Sequence, residues 1–115
     1  MSLRNKHCSP CPPGTAPLST EEQATLGEQI PTWKNCDGLR IQREYKFKTY
    51  MDAVMWLQEG AQIADNEDHH PDIHVFYKRI VIDLWTHTVN GLSENDYILA
   101  AKLDASFDDY PGSKN

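Results

Sequence analysis

The spacing of apolar residues changes along this chain from that of a strand to that of a helix and back, which limits the folds open to it. Apolar residues alternate over 39–47, recur at intervals of three and four over 50–64, and alternate again over 73–77 and 80–84. Alternation is typical of a half-buried strand, and the longer intervals are typical of an amphipathic helix. The sequence therefore predicts a helix between two pairs of strands.

The first pair of strands is divided by Asp37-Gly38, a dipeptide suited to the positive φ angles of a tight hairpin turn. Residues 33–36 and 39–47 flank this turn. Apolar side chains at alternate positions of the later strand share one face, which is interrupted only at Arg43. The side chains predicted to form that buried face are Leu39, Ile41, Tyr45 and Phe47.

The second pair of strands also needs a turn, and the alternation permits one at Lys78-Arg79. Tyr77 would then face Ile80 across the hairpin. Continuing that register places His70 level with His87, so two histidines distant in sequence would share one pocket.

Capping residues set the predicted limits of the helices. Ser19 and Glu22 match the Ser-x-x-Glu capping box, and Pro31 requires the first helix to end by about Ile30. Thr49 can cap the second helix, in which the predicted apolar face recurs at helical spacing. The residues of that face are Tyr50, Ala53, Val54, Leu57, Ala61 and Ala64.

The third helix follows a turn at Asn90-Gly91, with Ser93 as its cap and Asp96 at its third position. The element order α-β-β-α-β-β-α predicts an α+β fold, a four-stranded antiparallel sheet with three helices packed on one face. The other face or an edge of the sheet would be available for self-association.

One domain with short terminal segments is expected from a chain of this length. Residues 1–17 contain four prolines and no hydrophobic periodicity, which is typical of a flexible arm. The domain should span 18–110, with a tail over 111–115. Within the arm, His7, Cys8 and Cys11 could bind a metal ion, but a structural zinc site normally needs four ligands. An arm without a metal is therefore the favoured interpretation.

The charge balance excludes some classes of partner. Seventeen acidic residues against eleven lysines and arginines give a net charge of −6, which argues against binding to nucleic acid. No apolar run approaches the roughly 20 residues that span a bilayer, so no membrane segment is expected. The opening residues lack the apolar core of a secretory signal, and three cysteines cannot all pair within one chain. A cytoplasmic location is the simplest expectation.

Residues 65–72 hold the densest group of titratable side chains, two adjacent histidines among four carboxylates. Histidine titrates near neutrality, so such a pair beside acids can divide the roles of general acid and general base. Seven residues at fixed spacing extend this pattern: an acid, His-His-Pro, an aromatic residue, a later histidine and a final aspartate. They are Asp65, His69-His70-Pro71, Tyr77, His87 and Asp96.

With this pattern the chain resembles the pterin-4a-carbinolamine dehydratases, whose animal members also serve as dimerisation cofactors for a homeodomain transcription factor. The resemblance extends from about Leu18 to Phe107. It implies dehydration of 4a-hydroxytetrahydropterin to quinonoid dihydropterin, which recycles the cofactor of aromatic amino-acid hydroxylases. It implies no metal or organic cofactor, and a homodimer or homotetramer.

The same resemblance assigns roles to individual residues. His69 and His87 would be acids toward the leaving hydroxyl, and His70 would hold the pterin and assist proton transfer. The remaining implied binding residues either adjust the imidazoles or lie along the strand that reaches the third histidine. They are Asp65, Asp68, Pro71, Trp85, Thr86, Thr88 and Asp96. Two positions depart from the animal members, which carry Trp in place of Ile73 and Arg in place of Asn95.

Two other interpretations are open. The chain could be a non-catalytic oligomeric interaction or regulatory module, as the animal cofactor role suggests. Alternatively, His69, His70 and His74 could bind a metal with Asp65 or Asp68. Adjacent histidines on extended backbone point to opposite sides, which disfavours the metal interpretation.

Overall fold

The computed structural model describes residues 2–114, and Met1 and Asn115 lie outside the described residues. The α+β fold predicted from the sequence is confirmed. No helix within 2–114 combines the length and the apolar character needed to cross a membrane. The helices and strands are α1 (Thr20–Gly27), β1 (Lys34–Cys36), β2 (Arg40–Lys46), α2 (Tyr50–Glu67), β3 (Asp72–Phe76), β4 (Arg79–Leu84) and α3 (Glu94–Asp109), with short 3₁₀ turns at Leu3–Asn5 and His87–Val89.

The four strands form one antiparallel sheet in the order β1-β2-β4-β3. The first hairpin turns where the sequence predicts it, with positive φ at Asp37 and Gly38. The prediction that Leu39 is buried is wrong, since 61% of its surface is exposed. The ladder closes one residue later, where Cys36 pairs with Arg40, so Leu39 lies in the turn rather than on the sheet face.

The second hairpin has a different register from the one predicted. Phe76 pairs with Arg79, so the turn consists of Tyr77 and Lys78 rather than Lys78 and Arg79. Tyr77 takes a positive φ of 50°. The pairing is shifted by two residues, a change that leaves every side chain on its own face and is therefore invisible to alternation.

The predicted pairing of His70 with His87 is therefore wrong. The β3·β4 ladder begins with Asp72 opposite Asp83, and β4 ends at Leu84. Beyond that point the chain enters the 3₁₀ turn that contains His87. The two histidines are consequently not cross-strand neighbours.

The core lies between the sheet and the two long helices. Tyr45 of β2 is fully buried, with its ring 4.6 Å from that of Trp56 in α2 and 4.8 Å from that of Phe107 in α3. Aromatic side chains of this size supply much of the apolar area that stabilises a small domain. The buried stripe of α2 is narrower than the predicted one. Tyr50 and Ala61, which were predicted to belong to it, are exposed. The buried members of the stripe are Ala53, Trp56, Gly60 and Ala64.

The helix caps are largely as predicted. Ser19 and Glu22 form a reciprocal capping box at the start of α1. Thr49 accepts a hydrogen bond from the backbone N–H of Asp52 at the start of α2. The first helix ends at Gly27, earlier than the predicted limit near Ile30.

Both terminal segments lie against the domain. Leu3 is 1% exposed and belongs to the core, which the predicted boundary at residue 18 left out. Its backbone N–H donates to Oε1 of Gln29, and the carbonyl of Arg4 accepts from Nζ of Lys102 in α3. Ser113 of the predicted tail forms a β-bridge with Phe47.

Candidate active site

The end of α2 directs the adjacent histidines. Asp68 takes the left-handed conformation, with φ 51° and ψ 41°, and its N–H donates to the carbonyls of Ala64 and Asp65. The N–H of His69 also donates to the carbonyl of Ala64, at 3.1 Å. A left-handed residue after the last turn is a common way to end a helix, and aspartate tolerates it better than most residues with a side chain. The reversal turns the chain so that His69 faces α3.

His69 and Asp96 form the central contact of the site. Nε2 of His69 lies 2.6 Å from Oδ1 of Asp96, whose side chain is completely buried. The other carboxylate oxygen, Oδ2, accepts from Oγ1 of Thr86 at 2.8 Å and from the backbone N–H of Ser93 at 2.9 Å. Asp96 therefore joins the end of α2, the segment after β4 and the start of α3.

This hydrogen bonding fixes which ring nitrogen of His69 is free. The carboxylate of Asp96 accepts from three groups, so Nε2 of His69 carries a proton and donates it. Thr86 donates its hydroxyl hydrogen to Asp96, and Ser93 consequently donates its own to Oγ1 of Thr86, 2.7 Å away. Nδ1 of His69 is the nitrogen left to react.

A cleft of about 590 Å³ adjoins this group. Four of the residues named from the sequence line it: Asp68, His69, Thr86 and Thr88. The opposite wall comes from residues 7–11 of the N-terminal segment. The cleft therefore combines the oriented imidazole of His69 with the hydroxyl-bearing residues Ser9, Thr86 and Thr88, which is the chemistry of a site that moves protons on a polar ligand.

His70 and Asp65 lie outside this cleft. Nε2 of His70 is 3.0 Å from Oδ1 of Asp65, and both side chains are largely exposed. Pro71 follows and is half-buried. The expected pairing of Asp65 with an imidazole is present, on the solvent side of the loop.

His87 occupies the other end of the segment after β4. Its ring contacts that of Trp85, with 3.8 Å between the centroids and 33° between the ring planes. Nε1 of Trp85 donates to Oδ2 of Asp72, and both residues line a second depression of about 500 Å³. Thr86 and Thr88 thus line the first depression and Trp85 lines the second, whereas His87 lines neither and is brought beside Trp85 rather than beside His69.

Glu67 and Asn95 also line the first cleft, a role that no pattern in the sequence indicated. Glu67 is 8% exposed and accepts from the backbone N–H of Cys8 at 2.7 Å. Burial alone would raise the pKa of Glu67, but the Cys8 N–H, His7 and Lys102 together hold that pKa below its ordinary value of 4.5. The only sequence signal was the departure at Asn95, because hydrogen bonds from an irregular segment leave no periodic pattern.

Within residues 2–114 no group of three His, Cys, Asp or Glu side chains is arranged to hold a metal ion. The three histidines of the metal interpretation contact different carboxylates. His69 contacts Asp96, His70 contacts Asp65, and His74 lies 3.7 Å from Asp83.

Comparison with known proteins places this site in context. The family described as pterin 4 alpha carbinolamine dehydratase matches residues 16–106. A protein of Halorhodospira halophila, provisionally named a pterin-4-alpha-carbinolamine dehydratase, is 41% identical over 106 residues, which cover 91% of this chain and 97% of that protein.

Two solved structures are also similar. The crystal structure of a transcriptional coactivator/pterin dehydratase from Brucella melitensis matches with a TM-score of 0.74 and 32% identity, covering 78% of this chain and 97% of that one. A pterin dehydratase-like protein, described as a RuBisCO assembly factor in the alpha-carboxysome, matches with a TM-score of 0.56 and 21% identity, covering 65% and 88%. The second likeness shows the fold alone.

Proposed function

The chain belongs to the pterin 4 alpha carbinolamine dehydratase family, and from that premise we propose that it dehydrates 4a-hydroxytetrahydropterin to quinonoid dihydropterin. The observation that carries the proposal is the contact between His69 and the buried Asp96 beside the cleft. A histidine with a purely structural role would have both ring nitrogens hydrogen-bonded to the protein. Here one nitrogen is fixed by a carboxylate and the other is left available at a cleft, which is the arrangement of an oriented acid or base.

The reaction needs proton transfers at two atoms. The bond between C4a and the hydroxyl oxygen breaks with its electron pair, and that oxygen gains a proton to leave as water. N5 loses its proton, and its electrons form the C4a–N5 double bond. Groups that titrate near neutrality can serve both ends, so neither a metal nor an organic cofactor is needed.

In this proposal His69 reacts as the imidazolium: Nε2–H stays on Asp96, and Nδ1–H is given to the leaving hydroxyl, a role that His87 shares as the alternative donor. His70, paired with Asp65, holds the pterin from the solvent side and takes up the proton that N5 loses. Asp96 was expected to bind substrate, but its carboxylate is buried with three donors already in place. It acts through His69, by fixing the orientation and tautomer of the ring.

A direct assay tests this function. The substrate is generated in situ by an aromatic amino-acid hydroxylase, and quinonoid dihydropterin is followed by its absorbance. His69→Ala and His87→Ala should each lower the rate by about 100-fold or more, the range of general acid–base catalysis. His74→Ala is the matched control, because His74 is an exposed strand histidine outside the cleft. Unchanged rates in both variants would exclude the catalytic assignment.

A non-catalytic interaction role is the second candidate, favoured by exposed apolar side chains. Met51, Met55, Phe76 and Tyr77 are each about half exposed or more. The name of the Brucella melitensis structure likewise joins a coactivator to a dehydratase. Self-association into a dimer or tetramer would cover such side chains. Light scattering gives the oligomeric state, and an assembled protein without dehydration would favour this second role.

We also propose that the protein is cytoplasmic. The three cysteines are unpaired, which suits a reducing compartment such as the cytoplasm, where reduced pterins also persist.

A further inference from the structure

An N-terminal strap, residues 6–11, crosses the cleft that contains His69. Five consecutive residues of it, 7–11, line the cleft. The chain on its N-terminal side is anchored in the core by Leu3. The strap thus forms a wall of the candidate active site, although the sequence pattern is that of a flexible arm.

Asn95 holds the middle of the strap. Its Oδ1 accepts from the backbone N–H of Ser9 at 3.0 Å, and its Nδ2 donates to the carbonyl of Ser9 at 2.7 Å. One side chain therefore satisfies both backbone groups of a residue that has no strand partner. Asn95 directly precedes Asp96, so the first turn of α3 fixes the strap and the imidazole together.

Glu67 holds the start of the strap in a similar way. Its Oε1 accepts from the backbone N–H of Cys8, and its Oε2 lies 3.0 Å from Nδ1 of His7. Nζ of Lys102 lies 3.7 Å from the same Oε2. Glu67 is the last residue of α2 and is followed by the reversal that directs His69. Glu67 and Asn95 thus lie within two residues of His69 and Asp96, respectively, and the same backbone positions the strap and the imidazole.

The strap also has a defined chemical character. The strap residues that line the cleft include Cys8, Pro10 and Cys11. Burial raises the pKa of Cys8 to about 12, with Glu67 adding to the effect, so this thiol is neutral and is no nucleophile near neutral pH. A neutral, polarisable wall suits a flat uncharged ring better than a strongly charged ligand.

We propose that the strap is one wall of the substrate site, that it closes a reduced pterin against His69, and that Asn95 and Glu67 are positioning residues which hold it there. This inference rests on the proposed function for the identity of the ligand. The anchoring contacts themselves do not depend on it.

Steady-state kinetics of the full chain test the proposal. Asn95→Ala removes both contacts with Ser9, and we expect KM to rise about fivefold, the effect of roughly one net hydrogen bond, with kcat changed less than twofold. Asn35→Ala is the matched control, because Asn35 likewise makes two hydrogen bonds, accepting from the N–H of Gly38 and donating to Oε1 of Gln23, but lies outside the cleft and should retain wild-type KM. An Asn95→Gln variant should recover part of the loss. Wild-type KM in Asn95→Ala would overturn the proposal.

Thiol labelling gives a readout that does not require turnover. Maleimide modification is followed at each cysteine by mass spectrometry, with Cys36 of β1 as an internal reference outside the cleft. Asn95→Ala should speed labelling of Cys8 severalfold, because the strap opens more often. Saturating 7,8-dihydrobiopterin should slow labelling of Cys8 and Cys11 but not of Cys36.

The two measurements separate the strap from the reaction. If the pterin protects Cys8 and Cys11 but the protein shows no dehydration, the strap is supported as a substrate wall and the proposed activity is contradicted. If the enzyme is active but its cysteines label equally fast with and without saturating pterin, the proposed activity is supported and the strap is overturned as a substrate wall.

Discussion

Oδ1 of Asp96 lies 2.6 Å from Nε2 of His69, across 27 positions of sequence, and this contact connects the fold to its chemistry. Asp96 is the third residue of α3, where its Oδ2 also closes the capping box with the N–H of Ser93. The same carboxylate thus begins a helix and orients an imidazole. Any change to it should affect stability and catalysis together.

Asp96→Asn is the first prediction. An amide replaces one acceptor oxygen with an NH₂ group, which must then face a donor from His69, Thr86 or Ser93. We expect kcat to fall by about 100-fold because the His69 tautomer is no longer fixed, and the free energy of unfolding to fall by about 2 kcal/mol. Urea denaturation and the dehydration assay measure the two effects.

Asp104→Asn is the matched control for that variant. Asp104 also accepts from three donors at one oxygen, Nε1 of Trp33, Nη1 of Arg43 and the hydroxyl of Tyr45, but it does not line the cleft. In Asp104→Asn the amide oxygen can still accept from all three donors and only the charge facing Arg43 is lost, so stability should fall by less than in Asp96→Asn, with kcat unchanged. Equal losses of kcat in both variants would mean that Asp96 acts only through stability.

The second prediction concerns the contact between the rings of Trp85 and His87. Trp85→Leu removes the aromatic surface on which the imidazole rests, so the position of His87 becomes less defined. We expect kcat to fall about tenfold, less than in His87→Ala. The double variant should be no slower than His87→Ala alone, because residues that act through one contact are not additive. Additive losses in the double variant would separate the two residues.

The third prediction uses the left-handed backbone of Asp68. Asp68→Gly keeps that conformation at no steric cost, and we expect the protein to be unchanged in stability or stabilised by up to about 1 kcal/mol. Asp68→Ala should be less stable than Asp68→Gly, because alanine has the steric cost without the polar side chain. If the carboxylate of Asp68 binds the pterin, both variants should show the same rise in KM. A wild-type KM in both would remove Asp68 from the substrate-binding residues.

The parts of the fold that the sequence predicts are those encoded locally. The capping pair Ser19 and Glu22 and the turn at Asp37-Gly38 are read from adjacent residues, and both were predicted correctly. The second hairpin was not, because a shift of two residues preserves alternation and a tyrosine at positive φ, Tyr77, carries no turn signal.

The candidate site shows the same division. The sequence named His69 and Asp96 but gave no reason to pair them, since the nearer carboxylates Asp65 and Asp68 were the obvious partners. Their pairing depends on how α3 packs beside the end of α2, which is a tertiary property. The strap was missed for a related reason: its hydrogen bonds go to the side chains of Glu67 and Asn95, and contacts of this kind leave no period in the sequence.

The last prediction is a loss of strap docking in acid. The pKa of Glu67 in the folded protein is below its ordinary value of 4.5, despite the opposing effect of burial, because the Cys8 N–H, His7 and Lys102 favour the carboxylate. A lowered pKa stabilises the docked state fully above pH 4.5, and the contribution is lost as the pH falls through the lower, folded value. Acid cannot remove the positive charge of His7 or Lys102, so the loss must come from the carboxylate. Labelling of Cys8 with 4,4′-dithiodipyridine, which reacts with thiols in acid, should therefore accelerate below pH 4.5. Glu67→Gln can still accept from the Cys8 N–H but has no charge. In this variant the labelling rate of Cys8 relative to Cys36 should not change as the pH falls below 4.5. The same acceleration in Glu67→Gln would assign the transition to another group.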